Sequence, residues 1–164
     1  MPIRPYQPSD LAALYAINQA STPGVGHEDD ADGLGRLIDI GTCLVAADDE
    51  DTPLGFINLI APGPDAYPID NLRWIEDWMA REEKSAHYVD RIAIAAGARG
   101  QRLGEALYRA AFEAAKPRAC LTCEVNTDPD NPGSHRFHQR LGFQKIGERR
   151  YRPDYAVAFY ARLL

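Results

Sequence analysis

The sequence predicts one α/β domain, spanning residues 1–164, with a mixed β-sheet and flanking helices. Its 164 residues are 45% hydrophobic and 26% charged, and a chain of this size buries about two-thirds of its unfolded surface in a single core. Strand-like and helix-like apolar spacings follow one another along the chain. The sequence contains no repeat, linker or low-complexity tract that would indicate a second domain.

The first part of the chain predicts a strand, two helices and a β-hairpin. In chain order these are a strand over residues 3–6, helices over 10–17 and 34–40, and strands over 42–47 and 54–61. Ser9 precedes the first helical spacing and is a suitable N-cap. Glycine and acidic residues before the second helix predict a loop. An acidic connection between the two β-rich runs is typical of a hairpin.

The remainder of the chain predicts three helices and four strands. In chain order these are a helix over 71–83, a strand over 87–94, a helix over 102–116, a strand over 119–125, a helix over 134–141, and strands over 143–146 and 156–163. Apolar residues at three- and four-residue steps, such as Leu72 and Ile75, indicate that the first helix is amphipathic. The next three elements predict a β-α-β unit.

Composition and charge exclude several classes of protein. The composition is not that of a disordered, collagen-like or coiled-coil chain, and the longest apolar runs are far shorter than the ~18 residues of a membrane-spanning helix. The net charge is −6, with 6 basic and 17 acidic residues over 1–98 but 11 basic and 6 acidic residues over 99–152. This asymmetry favours a polyanionic ligand for the second segment and a cationic one for the first, unless the acidic segment is simply a solvated surface. The acidic balance disfavours nucleic acid as a partner.

The N-terminal residues and the cysteines indicate the compartment. The first residues lack the apolar core of an export signal, so a cytoplasmic protein without a membrane partner is expected. Cys43, Cys120 and Cys123 form an odd set that predicts free thiols. Cys120 and Cys123 have the spacing of half a zinc site, but no second pair occurs in the sequence, so no metal is expected.

A strand, a glycine-bearing turn and a helix follow one another over residues 88–108. Such a turn leaves unpaired amide N–H groups at the helix start, where the helix dipole adds positive potential. Gly100 and Gly104 allow close backbone approach, and Arg99 and Arg102 add positive charge. The pattern predicts a pyrophosphate site. A helix that merely begins at a glycine turn is the alternative.

Other glycine motifs do not fit the sequence. A Walker loop needs a Gly-Lys pair, which the chain lacks. A dinucleotide fold needs Gly-x-Gly-x-x-Gly after the first strand, and a nucleophilic serine needs a Gly-x-Ser-x-Gly turn. Neither pattern occurs, so these classes of enzyme are disfavoured.

A second motif follows the strand over 119–125. It is Asn131-Pro132-Gly133-Ser134-His135-Arg136-Phe137-His138-Gln139-Arg140-Leu141-Gly142-Phe143. Together with the turn over 99–104, it resembles the GNAT superfamily of acetyl-CoA-dependent N-acetyltransferases. The motifs of that family are Arg/Gln-x-x-Gly-x-Gly/Ala and, later, Asn-x-x-Ala-x-x-x-Tyr-x-x-x-Gly-Phe. The resemblance spans residues 86–146 and implies a largely antiparallel sheet with helices on both faces.

The resemblance implies which residues contact acetyl-CoA. They would be Ile92, Ala93, Ile94, Arg99, Gly100, Gln101, Arg102, Leu103, Gly104, Asn131, Ser134 and Phe137. The turn would wrap the pyrophosphate, and the strand before it would offer backbone groups to the pantetheine arm. Arg102 stands where the family prefers its middle glycine. An arginine with helical dihedral angles would still present its N–H there and would add a guanidinium for phosphate.

Three residues are candidates for proton transfer. Substrate amines are mostly protonated at pH 7, so a carboxylate must accept a proton, and Glu124 is favoured over Asp90 for this role. An ion pair of Asp90 with Arg91 is the alternative. His138 occupies the place of the tyrosine that often serves the family as general acid, and a packed or solvated histidine is its alternative. A metal held by His135 and His138 would lack an evident third ligand.

The residues before the strand over 87–94 are candidates for the acceptor site. They are Tyr67, Asn71, Arg73, Trp74 and Trp78. Arg73 would receive a substrate carboxylate, whereas a place in the core is the alternative for both tryptophans. The resemblance implies acetyl transfer to a small amine, an amino acid or a protein amine, and it allows a homodimer. A non-catalytic acyl-CoA sensor and a protein-interaction module that uses the tryptophan segment are the alternative functions.

Overall fold

The computed structural model describes residues 2–63, 65, 67 and 69–164, which form seven strands and five helices. The strands are β1 (Ile3–Pro5), β2 (Thr42–Ala47), β3 (Pro53–Ile60), β4 (Ala86–Ile94), β5 (Cys120–Asp128), β6 (Gln144–Arg152) and β7 (Tyr155–Leu163). The helices are α1 (Leu11–Ala20), α2 (Ala31–Asp39), α3 (Asp70–Glu82), α4 (Leu103–Ala115) and α5 (Pro132–Arg140).

The strands form one sheet in the order β1-β2-β3-β4-β5-β7-β6. The pairs β1–β2, β2–β3, β5–β7 and β6–β7 are antiparallel. β4 and β5 are parallel, with Ala86–Tyr88 in register with Cys120–Thr122, and α4 lies between them in the chain. The predicted mixed, largely antiparallel sheet and the β-α-β unit are therefore confirmed.

Contacts within the chain define two compact units. Unit 1 comprises Met1–Ile60 and Asp90–Ala114, and unit 2 comprises Ala61–Val89 and Ala115–Leu164. The extent of the predicted domain, residues 1–164, stays a prediction.

The core of unit 1 packs α1 and α2 against strand residues. Its buried members are Leu14, Ile17, Leu34, Ile38, Cys43, Val45, Phe56 and Ala93. Asp30 caps α2, since its carboxylate accepts a hydrogen bond from the Gly33 N–H at 2.7 Å, as expected for an N-cap. Because Ala93 belongs to this core, packing fixes the end of β4 that leads into the glycine-bearing turn.

The core of unit 2 is built around two tryptophans of α3. Trp78 is buried against Ala86 of β4. The ring of Trp74 stacks on Phe159, with centroids 3.9 Å apart and 2° between the ring planes. A Cβ atom at Gly147 would collide with the Trp74 ring, so β6 needs glycine at this position.

Several boundaries differ from the sequence expectations. Ser9 is not an N-cap, because residues 8–10 form a 3-10 turn in which the Asp10 carboxylate accepts from the Gln7 N–H at 2.8 Å. Helix α2 begins three residues early, at the Asp30 cap. Strand β6 extends well beyond residue 146, because pairing with β7 continues to its end.

None of Cys43, Cys120 and Cys123 forms a disulfide with another described residue, and all three side chains are buried. Burial raises the pKa of the Cys43 thiol to about 12, which makes it a poor nucleophile. In the part of the chain that the structure describes, no helix is long and apolar enough to span a membrane.

Candidate functional site

The glycine-bearing turn of unit 1 joins β4 to α4. Residues 99–102 are exposed, and the helix begins at Leu103. Gly100 and Arg102 have left-handed φ angles of +78° and +61°. Left-handed residues ahead of a helix start turn backbone N–H groups into a concave surface that suits an anion, and the first-turn amides of α4 lack helical acceptors. The turn therefore has the backbone expected of a phosphate site.

The expectation of helical dihedral angles for Arg102 is wrong. Its φ of +61° is a conformation that costs an L-residue about 1–2 kcal/mol and that glycine, the usual family residue here, adopts freely. The Arg102 side chain is 79% exposed and its Nε lies 3.1 Å from Glu105 Oε2. The guanidinium stays at the surface of the turn.

Residues 92–94 form the end of β4 in unit 1. Ala93 is buried, whereas Ile92 and Ile94 are half-buried. A Cβ atom at Gly55 would lie 2.9 Å from the Ala93 carbonyl oxygen, so β3 approaches this end of β4 closely. The strand that would offer backbone groups to the pantetheine arm is thus held in place.

Asp90 belongs to a buried ion network in unit 1. Its side chain is 1% exposed, and Arg91 Nε lies 2.7 Å from its Oδ2. Arg91 also donates to Glu28 Oε1 and to Asn18 Oδ1, each at 2.9 Å. Burial opposes the charge of Arg91, but the nearby carboxylates outweigh burial and raise its pKa. The ion pair that was the alternative for Asp90 is therefore formed.

Glu124 of β5 and Tyr88 of β4 form a hydrogen-bonded pair in unit 2. The Tyr88 hydroxyl donates to Glu124 Oε2 at 2.6 Å. Tyr88 is fully buried, and Glu124 is half-buried. Short bonds from a neutral donor to a carboxylate are among the stronger ones in proteins. Tyr88 therefore fixes the orientation of the Glu124 carboxylate.

Two tyrosines at the turn between β6 and β7 lie near this pair. The Tyr151 hydroxyl donates to Asn71 Oδ1 at 2.6 Å, and Asn71 also hydrogen-bonds Tyr155. Burial raises the pKa of Tyr151 to about 12, an effect that Arg149 opposes and Glu124 reinforces. Burial likewise raises the pKa of Tyr155. Both phenols are therefore protonated at neutral pH.

Tyr67, Tyr88, Tyr151 and Tyr155 form what we term the tyrosine cluster. Tyr67 is 3% exposed and packs edge-on against Tyr88, with ring centroids 5.9 Å apart. Tyr67 and Asn71 were predicted from the sequence as site residues, whereas the other three tyrosines were not. The available signal was the pair of tyrosines that bracket the turn between the last two strands.

Arg73 and Trp74 are engaged within unit 2. Arg73 Nη1 donates to both carboxylate oxygens of Glu76 at 2.8 Å, and its Nη2 donates to the Tyr67 carbonyl at 3.4 Å. Trp74 has one face on Phe159. These contacts favour structural roles for both residues, and their contacts with an acceptor stay predictions.

The two histidines of α5 are held by hydrogen bonds inside unit 2. His138 is 4% exposed, and its Nδ1 lies 2.8 Å from the Ser134 carbonyl, so Nδ1 carries the proton. Burial lowers the pKa of His138, the Ser134 bond opposes this shift, and His135 adds to it. The two nitrogens of His135 contact the Tyr160 hydroxyl at 2.7 Å and the Asn126 carbonyl at 2.9 Å. These partners occupy the nitrogens that a metal would need.

The other candidate cofactor residues of unit 2 organise the start of α5. Asn131 caps the helix by accepting from the Ser134 N–H at 3.3 Å. The Ser134 hydroxyl lies 3.3 Å from His138 Nδ1. Phe137 packs edge-on against His138 at 5.3 Å. Among the described residues, no group of three or more His, Cys, Asp or Glu side chains has the arrangement of a metal site.

Comparison with protein families gives one match over most of the chain. The model of the acetyltransferase (GNAT) family matches residues 11–143, which include both motifs and all three candidates for proton transfer. A search of curated protein sequences finds no significant match.

Solved structures of acetyltransferases share the fold. The ribosomal-protein-alanine N-acetyltransferase of Brucella melitensis is 21% identical, with a TM-score of 0.72 and 100% of both chains covered. NAA60 of Arabidopsis thaliana, solved with acetyl-CoA, is 14% identical, with a TM-score of 0.75 over 99% of this chain and 98% of that chain. A phosphinothricin acetyltransferase of Sinorhizobium meliloti, also with acetyl-CoA, is 18% identical, with a TM-score of 0.73 over 99% of this chain and 88% of that chain.

Proposed function

The chain belongs to the acetyltransferase (GNAT) family, and from that premise we propose that it transfers the acetyl group of acetyl-CoA directly to a primary amine. The observation that carries the proposal is the Glu124 carboxylate, held by the Tyr88 hydroxyl at 2.6 Å. A positioned, half-buried carboxylate is what the deprotonation of an ammonium requires. Asp90 is less suited, because Arg91 already neutralises it in a buried pair.

Acetyl-CoA supplies the thioester, and the chain supplies its binding groups. We assign the pyrophosphate to the turn over 99–104, because its left-handed backbone and exposed arginines suit an anion. Residues 92–94, Asn131, Ser134 and Phe137 are assigned to the rest of the molecule on the family resemblance. The acetyl-CoA complexes of two proteins with this fold support the choice of cosubstrate.

Glu124 would accept one proton from the substrate ammonium, directly or through a water molecule. The neutral amine then attacks the thioester carbonyl, so that a C–N bond forms and the C–S bond breaks. The nitrogen gives up a second proton, which neutralises the departing thiolate. Placing the amine against the carbonyl accounts for much of the acceleration of such a transfer.

Calorimetric titration with acetyl-CoA, with ATP and NAD as controls, is the first test. We expect binding of acetyl-CoA alone, followed by release of free thiol when amines are supplied. Binding without acetyl transfer to any amine would favour the acyl-CoA sensor. If acetyl-CoA does not bind, the turn over 99–104 is only a scaffold and the proposal is wrong.

Glu124→Gln tests the role of the base. At neutral pH, loss of a general base costs typically 10²–10⁴-fold in rate, and the loss should be smaller at high pH, where free amine is abundant. The pH profile of kcat/KM measures this difference. Tyr88→Phe is a matched control that keeps the carboxylate and removes its hydrogen bond, so it should lose less. An equal loss for Glu124→Gln at both pH values would exclude Glu124 as the base.

A further inference from the structure

Two guanidinium groups lie on rings of the tyrosine cluster. Arg149 lies over Tyr151 at 4.6 Å from the ring centroid, and Arg152 lies over Tyr155 at 5.3 Å. The two rings stack on each other, with centroids 5.4 Å apart. A guanidinium stacked on a ring is oriented by it and keeps its in-plane N–H groups for an anion. The pair is therefore a prepared anion-binding feature.

The arginines at the end of β6 differ in the number of hydrogen bonds and ion pairs that they form within the protein. Arg150 is tied down by Asp128, at 2.8 Å, and by the Pro153 carbonyl, also at 2.8 Å. The Nε of Arg152 lies 3.6 Å from Oδ1 of Asp154, whose side chain is exposed. Such an ion pair is weak in water. Arg149 forms no ion pair with any residue that the structure describes. Arg149 and Arg152 thus remain able to bind an external anion.

The strand register places Arg149 and Glu124 on the same side of the sheet. Asn126 and Arg149 both pair with Val157 of β7, one from each side, and paired residues of neighbouring strands share a face. Glu124 lies two residues from Asn126 on β5, so it has the same face. Two strand spacings and two residues along the strand separate the Cα atoms by about 12 Å. Both side chains are long enough to contact one small molecule.

We propose that the acceptor is an amino acid, whose amine faces Glu124 and whose carboxylate binds Arg149 and Arg152. This inference rests on the proposed acetyl transfer. A zwitterion pairs its ammonium with Glu124 and its carboxylate with the two arginines, whereas a diamine would place a second cation beside those arginines, where like charges repel. In this assignment Arg149 and Arg152, and not Arg73, bind the substrate carboxylate. The guanidinium of Arg73 is already paired with Glu76.

The test compares amino acids with their carboxamides in the free-thiol assay, with 1,4-diaminobutane as a cationic acceptor. In the unaltered protein, KM for the preferred amino acid should be about tenfold or more below KM for its amide, as expected when a charge-assisted contact is lost. Arg149→Gln and Arg152→Gln should each raise KM for the acid about tenfold and change KM for the amide less than about twofold. Arg81→Gln is the matched control, because Arg81 is exposed and lies over a ring of the same unit, that of Trp74, at 5.8 Å.

The outcomes separate this inference from the function on which it rests. Equal KM values for acid and amide, preference for the diamine, or equal effects of the arginine variants on both acceptors would overturn the amino-acid assignment. Acetyl-CoA binding without acetylation of any amino acid would also overturn it. Failure of acetyl-CoA to bind would overturn the proposed function itself.

Discussion

Burial decides what the imidazole of His138 can do. The side chain is 4% exposed, and its Nδ1 proton is donated to the Ser134 carbonyl. Because burial lowers its pKa, the ring is neutral at pH 7, and a neutral imidazole is a weak acid. The sequence placed a histidine at the family's tyrosine position, but burial depends on the packing of α5, which the motif alone does not specify.

The lowered pKa of His138 predicts a loss of stability in acid. The unfolded chain binds a proton at this residue near the ordinary pKa of about 6.5, whereas the folded protein binds it only at lower pH. The free energy of unfolding should therefore fall as the pH drops from 7.5 to 5.5. We expect His138→Gln to flatten this dependence, as measured by denaturant unfolding at several pH values. His27→Gln, which removes a histidine from an exposed site, is the matched control for the substitution itself.

The same variant distinguishes packing from catalysis. If His138 is structural, turnover should stay within about tenfold of the unaltered protein wherever the variant is folded. A loss of about a hundredfold or more, with an unchanged unfolding transition, would restore His138 as the general acid. A pH dependence of stability equal to that of the unaltered protein would contradict the effect of burial.

At the scale of elements, the turn before α4 combines two left-handed residues with exposed side chains. The turn could be predicted from the sequence because its glycines and arginines follow one another at fixed spacing along the chain. It did not predict the left-handed backbone of Arg102, since arginine rarely adopts it. The left-handed φ of Arg102 therefore departs from the local preference of its residue type.

Gly100→Ala and Gly97→Ala form a matched pair for this turn. Both glycines are exposed, and an added Cβ would meet no atom within 4 Å at either site. Only Gly100 has a left-handed φ, of +78°, so its change should lower the free energy of unfolding by about 1 kcal/mol and weaken acetyl-CoA binding. Gly97→Ala should be neutral or slightly stabilising. Thermal unfolding and calorimetric titration measure both effects, and equal behaviour of the two variants would contradict the assignment.

Elements with a clear apolar period were predicted well, and those set by pairing were not. The hairpin of β2 and β3 and the amphipathic α3 follow from their spacing alone. Strand β6 has mostly polar residues, so its period is weak, and its length is set by the ladder with β7. Tyr88, Tyr151 and Tyr155 were not predicted as site residues for a related reason, because they come from separate strands that only the sheet brings together.

At the scale of the whole molecule, charge is distributed by fold and not by sequence halves. Unit 1 carries 13 acidic and 6 basic residues, whereas unit 2 carries 11 acidic and 12 basic residues. The acidic first segment predicts a cationic acceptor, but Glu124 lies in the nearly neutral unit. Net charge over a stretch of sequence therefore says little about the acceptor, and the arginines near Glu124 say more.

Arg91 links segments of unit 1 that lie far apart in the chain. Its guanidinium donates to Asn18 and to the Gly26 carbonyl, and it pairs with Glu28 and Asp90 at 2.9 and 2.7 Å. The connection between α1 and α2 is thereby fastened to β4. The sequence offered the local pair of Asp90 with Arg91 as an alternative, but no sequence period reveals the distant contacts of Arg91 with Asn18, Gly26 and Glu28.

Arg91→Met should destabilise the fold as a whole, because it leaves the Asp90 carboxylate buried without its counter-charge. Removal of one partner from a buried pair costs about 3–5 kcal/mol, which denaturant unfolding would show as a lower midpoint with an unchanged slope. Asp90→Asn in the same chain removes the stranded charge, so the double variant should regain part of the loss. Two outcomes would mean that the network does not hold unit 1 together. One is a free energy of unfolding for Arg91→Met within about 1 kcal/mol of that of the unaltered protein. The other is a double variant that is less stable than either single variant.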